Sequence, residues 1–434
     1  MEELEHFESF AIRLNPEHDN LAFLDTDTWK ASDKPDEEGF YYIWQQAEVT
    51  AEELEEMAQE LERRFGEVEV HLETPMSVES PLPEGSVLET LLEEIEKIGG
   101  GSNDPEEMRK TAEDRDWHLK LMNVPEAWDM LRAKNKGLGS SIIVAHPDSG
   151  YMRHPELRGE NDTGVQLENA FDFVDHDNNV VFDEAFHGLA TASVLLGSME
   201  GKLKGVAPEA ILIPLRVARE DKALPAPVLL WGGVLRLQNA IMKAYTVGAD
   251  ILSISLGTQL LRSSLIEKAL LQARNHGIIV IAAAGNVVPS VVYPASSPHV
   301  IAVGGCTINK TKWKYSSKGP EVDFSAPATY IWKADRDAPG GILRSHGTSY
   351  AAANTAGIAA LWLEYWGKDY LLDLFGGYGL GEAFRELVKS TCSDATEMDS
   401  NKFGMGIIDA AALLRKSPEE YRASKEYKEP LVTE

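Results

Sequence analysis

The chain has 434 residues, 43% of them hydrophobic and 26% charged, with a formal net charge of −29. That length buries a sizeable core and suits two domains, or one large domain with an appendage. So acidic a balance gives a nucleic-acid or anionic-membrane partner no electrostatic support. Residues 1–115 hold 33 Asp+Glu against 9 Lys+Arg, and the remainder 37 against 32. An acidic N-terminal module therefore precedes a nearly neutral main domain, a solvated, solubilising surface being the plain alternative.

Residues 6–14 and 39–48 are rich in aromatic and β-branched side chains and read as strands. Thr50 and Glu53 make a capping box for an acidic helix over about 51–65, and Val68–Leu72 alternates like a strand. A second acidic helix covers about 86–98 and stops at Gly99-Gly100-Gly101. The expected organisation is an acidic α+β module over 1–98, a linker over 99–115, a main domain over 116–415 and a charged tail over 416–434.

Beyond 117, apolar runs alternate with helical patterns. The runs are Ile142–Ala145, Ile211–Leu215, Ile251–Ser255, Ile278–Ala283 and Val300–Val303, with helices at about 187–197, 228–247, 262–276 and 348–366. Such alternation predicts an α/β domain with a largely parallel, doubly wound sheet, whose active site gathers at the carboxyl ends of the strands. Cys306 and Cys392 make no disulfide framework and suit a reducing compartment, as buried small hydrophobes. Met1–Glu5 has neither the basic nor the apolar region of a signal peptide, and no run approaches the roughly 18 apolar residues of a membrane span. The expectation is a soluble, cytoplasmic protein.

Three segments carry chemistry-bearing side chains at the end of an apolar run or the start of a helix. Ile142–Val144 leads through Ala145-His146-Pro147 to Asp148; His187-Gly188 opens a helix; His346-Gly347-Thr348-Ser349 opens another. Singly, each residue reads as a cap or first-turn group. Jointly, the order Asp, His, Ser is a known triad order. Between the histidine and the serine, Ile278–Ala284 runs into Gly285-Asn286, and an asparagine amide can serve a developing oxyanion.

These segments resemble the subtilisin family over roughly residues 116–412. The likeness extends to His154-Pro155-Glu156-Leu157, Gly205-Val206-Ala207-Pro208, Ser253–Gly257, Tyr293-Pro294-Ala295, Phe324-Ser325-Ala326-Pro327 and Gly404–Asp409. The resemblance implies a serine endopeptidase working through an acyl-enzyme. Ser349 would be nucleophile, His187 general base, Asp148 its orienting carboxylate, and Asn286 with the Ser349 N–H the oxyanion hole. It also implies that Ser255-Leu256-Gly257 lies along an extended polypeptide substrate. With Ala282, Ala283 and Ala284 that strand would wall the pocket for the residue before the cleaved bond. Val292 stands where relatives usually have glycine and Val287 is also apolar, so small or medium apolar side chains are expected there.

The chain departs from the family in places. Relatives commonly read His-Gly-Thr-His-Val-Ala-Gly at the histidine, and Leu189, Ala190 and Ser193 break that pattern. The proline usual after the serine is Ala353. The segment Gly197–Gly205 is short and holds two lysines and one carboxylate, a poor cage for calcium, which takes roughly six to eight oxygens. No metal or other cofactor is therefore expected to be required, with weak calcium binding left to stretches such as 172–183, more plainly a solvated acidic loop. Many relatives carry an N-terminal propeptide, so the acidic module reads as an inhibitor of its own chain, or else as a regulatory domain. The expected function is an intracellular processing or regulated protease; the alternative is an inactive peptide-binding scaffold.

Overall fold

The computed structural model describes residues 6–14, 30–31, 41–50, 68–73, 77–78, 113–157, 164–175, 177–181, 186–220, 230–231, 234–257, 263–286, 290–335, 337–338, 341–393, 399–424 and 427. The helices expected over 51–65 and 86–98, the linker before residue 113, and Val287 lie outside the described residues. The chain divides into two compact units, one of Met1–Pro75 with Gly233–Leu235, the other of Met76–Gly232 with Arg236–Glu434.

The first unit contains β1 (His6–Leu14), β2 (Lys30–Ala31), β3 (Tyr41–Thr50) and β4 (Val68–Glu73), in the order β2-β3-β1-β4. Every pairing is antiparallel, with a register shift between Phe7 and Ser9.

The second unit begins with β5 (Ser77–Val78), α1 (Trp117–Leu121) and α2 (Val124–Ala133). There follow β6 (Ile143–Asp148), β7 (Phe171–Asp172), α3 (Phe186–Leu196), β8 (Ile211–Arg216), β9 (Arg219–Glu220), β10 (Leu230–Trp231) and α4 (Val234–Thr246). Next are β11 (Ile251–Ile254), β12 (Leu256–Gly257), α5 (Ser264–Asn275), β13 (Ile279–Ala283), β14 (Ile301–Cys306), β15 (Val322–Pro327) and the hairpin of β16 (Ile331–Ala334) with β17 (Ile342–Ser345). The helices α6 (Thr348–Trp366), α7 (Lys368–Thr391), α8 (Ser400–Phe403), α9 (Ala410–Arg415) and α10 (Pro418–Ala423) complete it.

Seven strands form one sheet, β15-β14-β13-β11-β6-β8-β7, parallel at every pairing. From β6 the chain steps outward to β8 and then returns to β11 on the other side. The strand order therefore reverses beside β6, where such sheets open a crevice at their carboxyl ends. Residues of β11, β13 and β14 are buried along their whole length, as expected of near-continuous apolar strands covered on both faces.

Through the core runs α6, buried at every residue from Thr348 to Glu364. Its small side chains let other elements approach closely: a Cβ on Gly357 would lie 2.5 Å from that of Val206. One expectation shifts here. The helix foreseen over 228–247 starts only at Val234, because Leu230–Trp231 instead pairs with Arg219–Glu220 as a strand.

Candidate active site

Asp148 is the last residue of β6, His187 the second of α3 and Ser349 the second of α6. The fold brings them together although 39 and 162 positions separate the contacting pairs. His187 Nδ1 donates to Asp148 Oδ1 at 2.7 Å, and His187 Nε2 lies 3.1 Å from Ser349 Oγ. All three residues are buried. The close approach of α3 to the end of β6 depends on Gly188, where a Cβ would fall 2.1 Å from Gly150 O. Its N–H accordingly reaches Ser149 Oγ at 3.1 Å.

Burial alone would push the Asp148 carboxyl up. The His187 ring beside it, its hydrogen bond, His146 and the Ser149 N–H (2.7 Å from Oδ1) together outweigh that and hold it below the usual carboxylate range. The carboxylate therefore stays ionised and can only accept. That fixes His187 with its proton on Nδ1 and leaves Nε2 basic toward Ser349, an arrangement suited to drawing a proton from the serine hydroxyl.

Asn286 follows β13. Its Oδ1 accepts from Thr348 N and Thr348 Oγ1, both at 2.9 Å, while Gly285 N donates to Thr348 Oγ1 at 3.2 Å. The amide is thereby turned so that Nδ2 is buried with no hydrogen-bond partner among the described residues. A buried donor without an acceptor costs about 1–3 kcal/mol, and a substrate oxygen would relieve that cost.

Ser255, Leu256 and Gly257 leave the end of β11 and are buried, like Ala282 and Ala283 on the adjoining β13 and Ala284 just beyond it. Ser255 Oγ donates to Ser349 O at 3.3 Å. Val292 N donates to Ala284 O at 3.0 Å, and a Cβ on Gly257 would lie 2.2 Å from Val292 Cγ2. Val292 thus packs directly on Gly257.

Two residues at the site escaped the sequence reading. His146 and Thr191 are buried and face the second carboxylate oxygen of Asp148. The signal was present, since Thr191 stands at the valine of the His-Gly-Thr-His-Val-Ala-Gly pattern.

Among the described residues no group of three or more His, Cys, Asp or Glu is placed to hold a metal ion. The short segment 197–205 folds around a carboxylate instead: Lys202 N and Leu203 N donate to Glu156 Oε2 at 2.5 and 2.9 Å. Amide hydrogens turned inward onto an anion do not fit a calcium cage. In the stretch 172–183, Asp172 and Asp175 are both engaged by Arg216 Nη1 at 2.6 Å.

A parallel, doubly wound sheet with Asp, His and Ser gathered at its carboxyl edge defines a class, the serine peptidases that use this order. The profile of the Subtilase family (peptidase S8) matches residues 139–406, and the chain belongs to that family. Thermitase of Thermoactinomyces vulgaris is 30% identical over 253 residues, 57% of this chain and 81% of thermitase. A subtilisin-like protease of Coccidioides posadasii is 33% identical over 59% of this chain and 61% of its own length. The thermostable alkaline protease of Halalkalibacterium halodurans is 30% identical over 56% and 62%. Two solved structures share the fold at 23% identity. A prenylagaramide maturation protease has a TM-score of 0.54 over 67% of this chain and 97% of that one. A protease of Pseudoalteromonas arctica has 0.57 over 70% and 97%. Among the described residues no helix is long and apolar enough to cross a membrane.

Proposed function

We propose that the chain is a serine endopeptidase in which Ser349 is the nucleophile, His187 the general base and acid, Asp148 the orienting carboxylate and Asn286 the oxyanion donor. The observation that carries this reading is the continuous line from Ser349 Oγ through His187 to Asp148, at 3.1 and 2.7 Å, beside the unpartnered Asn286 Nδ2. As Oγ attacks the scissile carbonyl carbon, its proton passes to His187 Nε2. The oxyanion so formed accepts from Asn286 Nδ2 and the Ser349 N–H. Collapse returns the proton to the leaving amine and leaves an acyl-enzyme, which water activated by the same histidine then hydrolyses.

The substrate is an extended polypeptide that adds as a strand along Ser255–Gly257. The antiparallel pairing of Ser77–Val78 with Leu256–Gly257 supports this, in the register Gly257 with Ser77 and Leu256 with Val78. The same pairing favours an inhibitory role for the N-terminal part of the chain, held as a zymogen, since its own backbone occupies the strand a substrate would use. Val292, packed on Gly257, takes up room in the pocket before the cleaved bond, which suits small or medium apolar side chains. The anion-centred turn at Glu156 supports a fold without a tight calcium loop. Cys306 and Cys392 are free thiols, a state native to a reducing compartment, which favours a cytoplasmic enzyme.

Full-length protein and its Ser349→Ala variant, treated with a fluorophosphonate and weighed intact, test the chemistry. An adduct on the wild type alone is the expected result; an unlabelled wild type overturns it. In a peptide library, cleavage after Ala or Leu should exceed cleavage after Lys or Glu, and the reverse order overturns the pocket assignment.

A further inference from the structure

Asp148 has two carboxylate oxygens, and the line to Ser349 uses one. Oδ1 accepts from His187 Nδ1 and Ser149 N, both at 2.7 Å. Oδ2 faces a different pair: Thr191 Oγ1 at 3.3 Å and His146 Nε2 at 3.5 Å. His146 Nε2 also lies 3.0 Å from Thr191 Oγ1. His146 and Thr191 expose 3% and 0% of their surface, so water does not compete for these contacts.

Counting hydrogens fixes the arrangement. The Thr191 hydroxyl lies within reach of His187 O at 3.0 Å, Gly188 O at 3.3 Å and Asp148 Oδ2 at 3.3 Å, but it has a single hydrogen to give. The ionised Asp148 Oδ2 can only accept. A lone pair on His146 Nε2 would face that anion across 3.5 Å, so the stable tautomer carries its hydrogen on Nε2 and donates to Thr191 Oγ1. The approach of His146 to Oδ2 is longer than a direct hydrogen bond; it acts as a dipole, its ring held in place by the Thr191 hydroxyl beside the carboxylate.

We propose that His146, together with Thr191, is a positioning residue: it holds the Asp148 carboxylate from its Oδ2 side and tempers the negative charge that His187 meets. This rests on the triad reading of the same site. Burial pushes the His146 ring down, Asp148 pulls it partly back and His187 opposes that, so His146 is neutral around neutral pH. Among the described residues, the group on α6 that feels Asp148 is the phenol of Tyr350, raised by burial and neutral. From β11 come Ile251 and Leu252, opposite Val144 and Ala145. On β8, Arg216 stands in register with Asp148, but its guanidinium is engaged by Asp172 and Asp175.

Without the His146 dipole, the carboxylate's charge would act more fully on the protonated His187 ring. The acid limb of the rate profile would then move to higher pH. The test measures the rate of fluorophosphonate inactivation against pH and reagent concentration for full-length wild type, His146→Leu, His146→Gln and Thr191→Val, with a thermal melt of each. His146→Leu should inactivate about fivefold more slowly at saturating reagent, the loss expected of its one neutral hydrogen bond to Thr191. Its half-saturating concentration should be unchanged and its acid limb shifted upward. His146→Gln, which keeps an N–H donor, should restore most of the rate. A wild-type profile in His146→Leu overturns the proposal, as do equal losses in Leu and Gln that track a lowered Tm. Should the leucine variant not fold, Thr191→Val decides: the same upward shift, smaller, supports the proposal and an unmoved limb overturns it. An unlabelled wild type sinks the triad reading itself, a result distinct from all of these.

Discussion

The two edges of the seven-stranded sheet each hold a buried aspartate, and the two are displaced in opposite directions. At the carboxyl edge, Asp148 is held below the usual range because His187, His146 and the Ser149 N–H outweigh burial. At the amino edge, burial pushes the Asp250 carboxyl up, and the Ile143 N–H (2.8 Å from Oδ2) and Lys368 pull it only partly back. Nearby, Glu364 Oε2 accepts from Ser141 N at 3.0 Å and Ser141 Oγ at 2.6 Å. The polar groups of the amino edge tie the chain to itself. At the carboxyl edge Asn286 Nδ2 is left without an acceptor among the described residues. Burial is common to both edges; the carboxylate proposed as catalytic faces an imidazole, a group that gains and loses its proton near neutral pH, whereas Asp250 faces the Lys368 ammonium and a backbone N–H.

The sharpest way to break this contrast is to neutralise each aspartate in turn. Asp148→Asn should lower kcat about 10⁴-fold with little change in Tm, the effect of putting the wrong tautomer on the histidine. Asp250→Asn should leave kcat within about twofold, because an amide oxygen still accepts from Ile143 N. If the second variant proves as inactive as the first, the two edges do not differ in the way argued.

A smaller effect is expected where the carboxyl edge meets the chain's own β5. Val78→Pro removes a backbone N–H from the strand paired with Leu256–Gly257. Uncleaved protein carrying it should hydrolyse a peptide substrate roughly tenfold faster, about the worth of one or two lost backbone hydrogen bonds. Unchanged hydrolysis would remove β5 as an inhibitor.

The smallest effect is in stability against pH. A carboxyl whose folded pKa is raised binds its proton more tightly in the folded state. Its contribution therefore falls as pH rises from the unfolded value of 3.8 through the folded one. Asp250→Asn lacks that penalty, so its stability relative to wild type should improve over that window and then level off. For Asp148 the sign is opposite: its contribution is present above the unfolded value and lost as pH falls through the depressed folded one. Urea melts at several pH values read both slopes.

Much of the catalytic unit was legible because strong local signals agreed with the tertiary outcome. Ile251–Ile254 and Ile279–Ala283 are short β-branched runs, and each is a central strand. Asp148, His187, Ser349 and Asn286 were visible because each ends a strand or opens a helix. The helix Lys368–Thr391 was not foreseen, since Gly376, Gly377, Gly379 and Gly381 argue against a helix by propensity. Gly377 gives clearance, since a Cβ there would lie 1.9 Å from Asn275 O, and Gly376, at φ 73°, breaks the run into two helical stretches. Within the tail read as charged, Pro418–Ala423 is a helix that buries Tyr421, whose ring lies 6.2 Å from that of Phe375. Two tyrosines, Tyr421 and Tyr427, spaced off the helical period among charges give no face to read. The pairing of Ser77–Val78 with Leu256–Gly257 joins strands of two residues each that stand far apart in sequence, too short for an alternating pattern to announce them.

The burial of α6 from Thr348 to Glu364 has a consequence for how the molecule fails. Loops and frayed ends open at little cost, whereas a central helix exchanges its amide hydrogens only when the whole unit comes apart. Ser349 sits in the first turn of that helix, so the proposed nucleophile shares the fate of the slowest-opening part of the protein. Nicks in peripheral segments should spare its reactivity until the core itself melts, and a population losing activity on heating should contain intact, competent molecules and unfolded ones with little between.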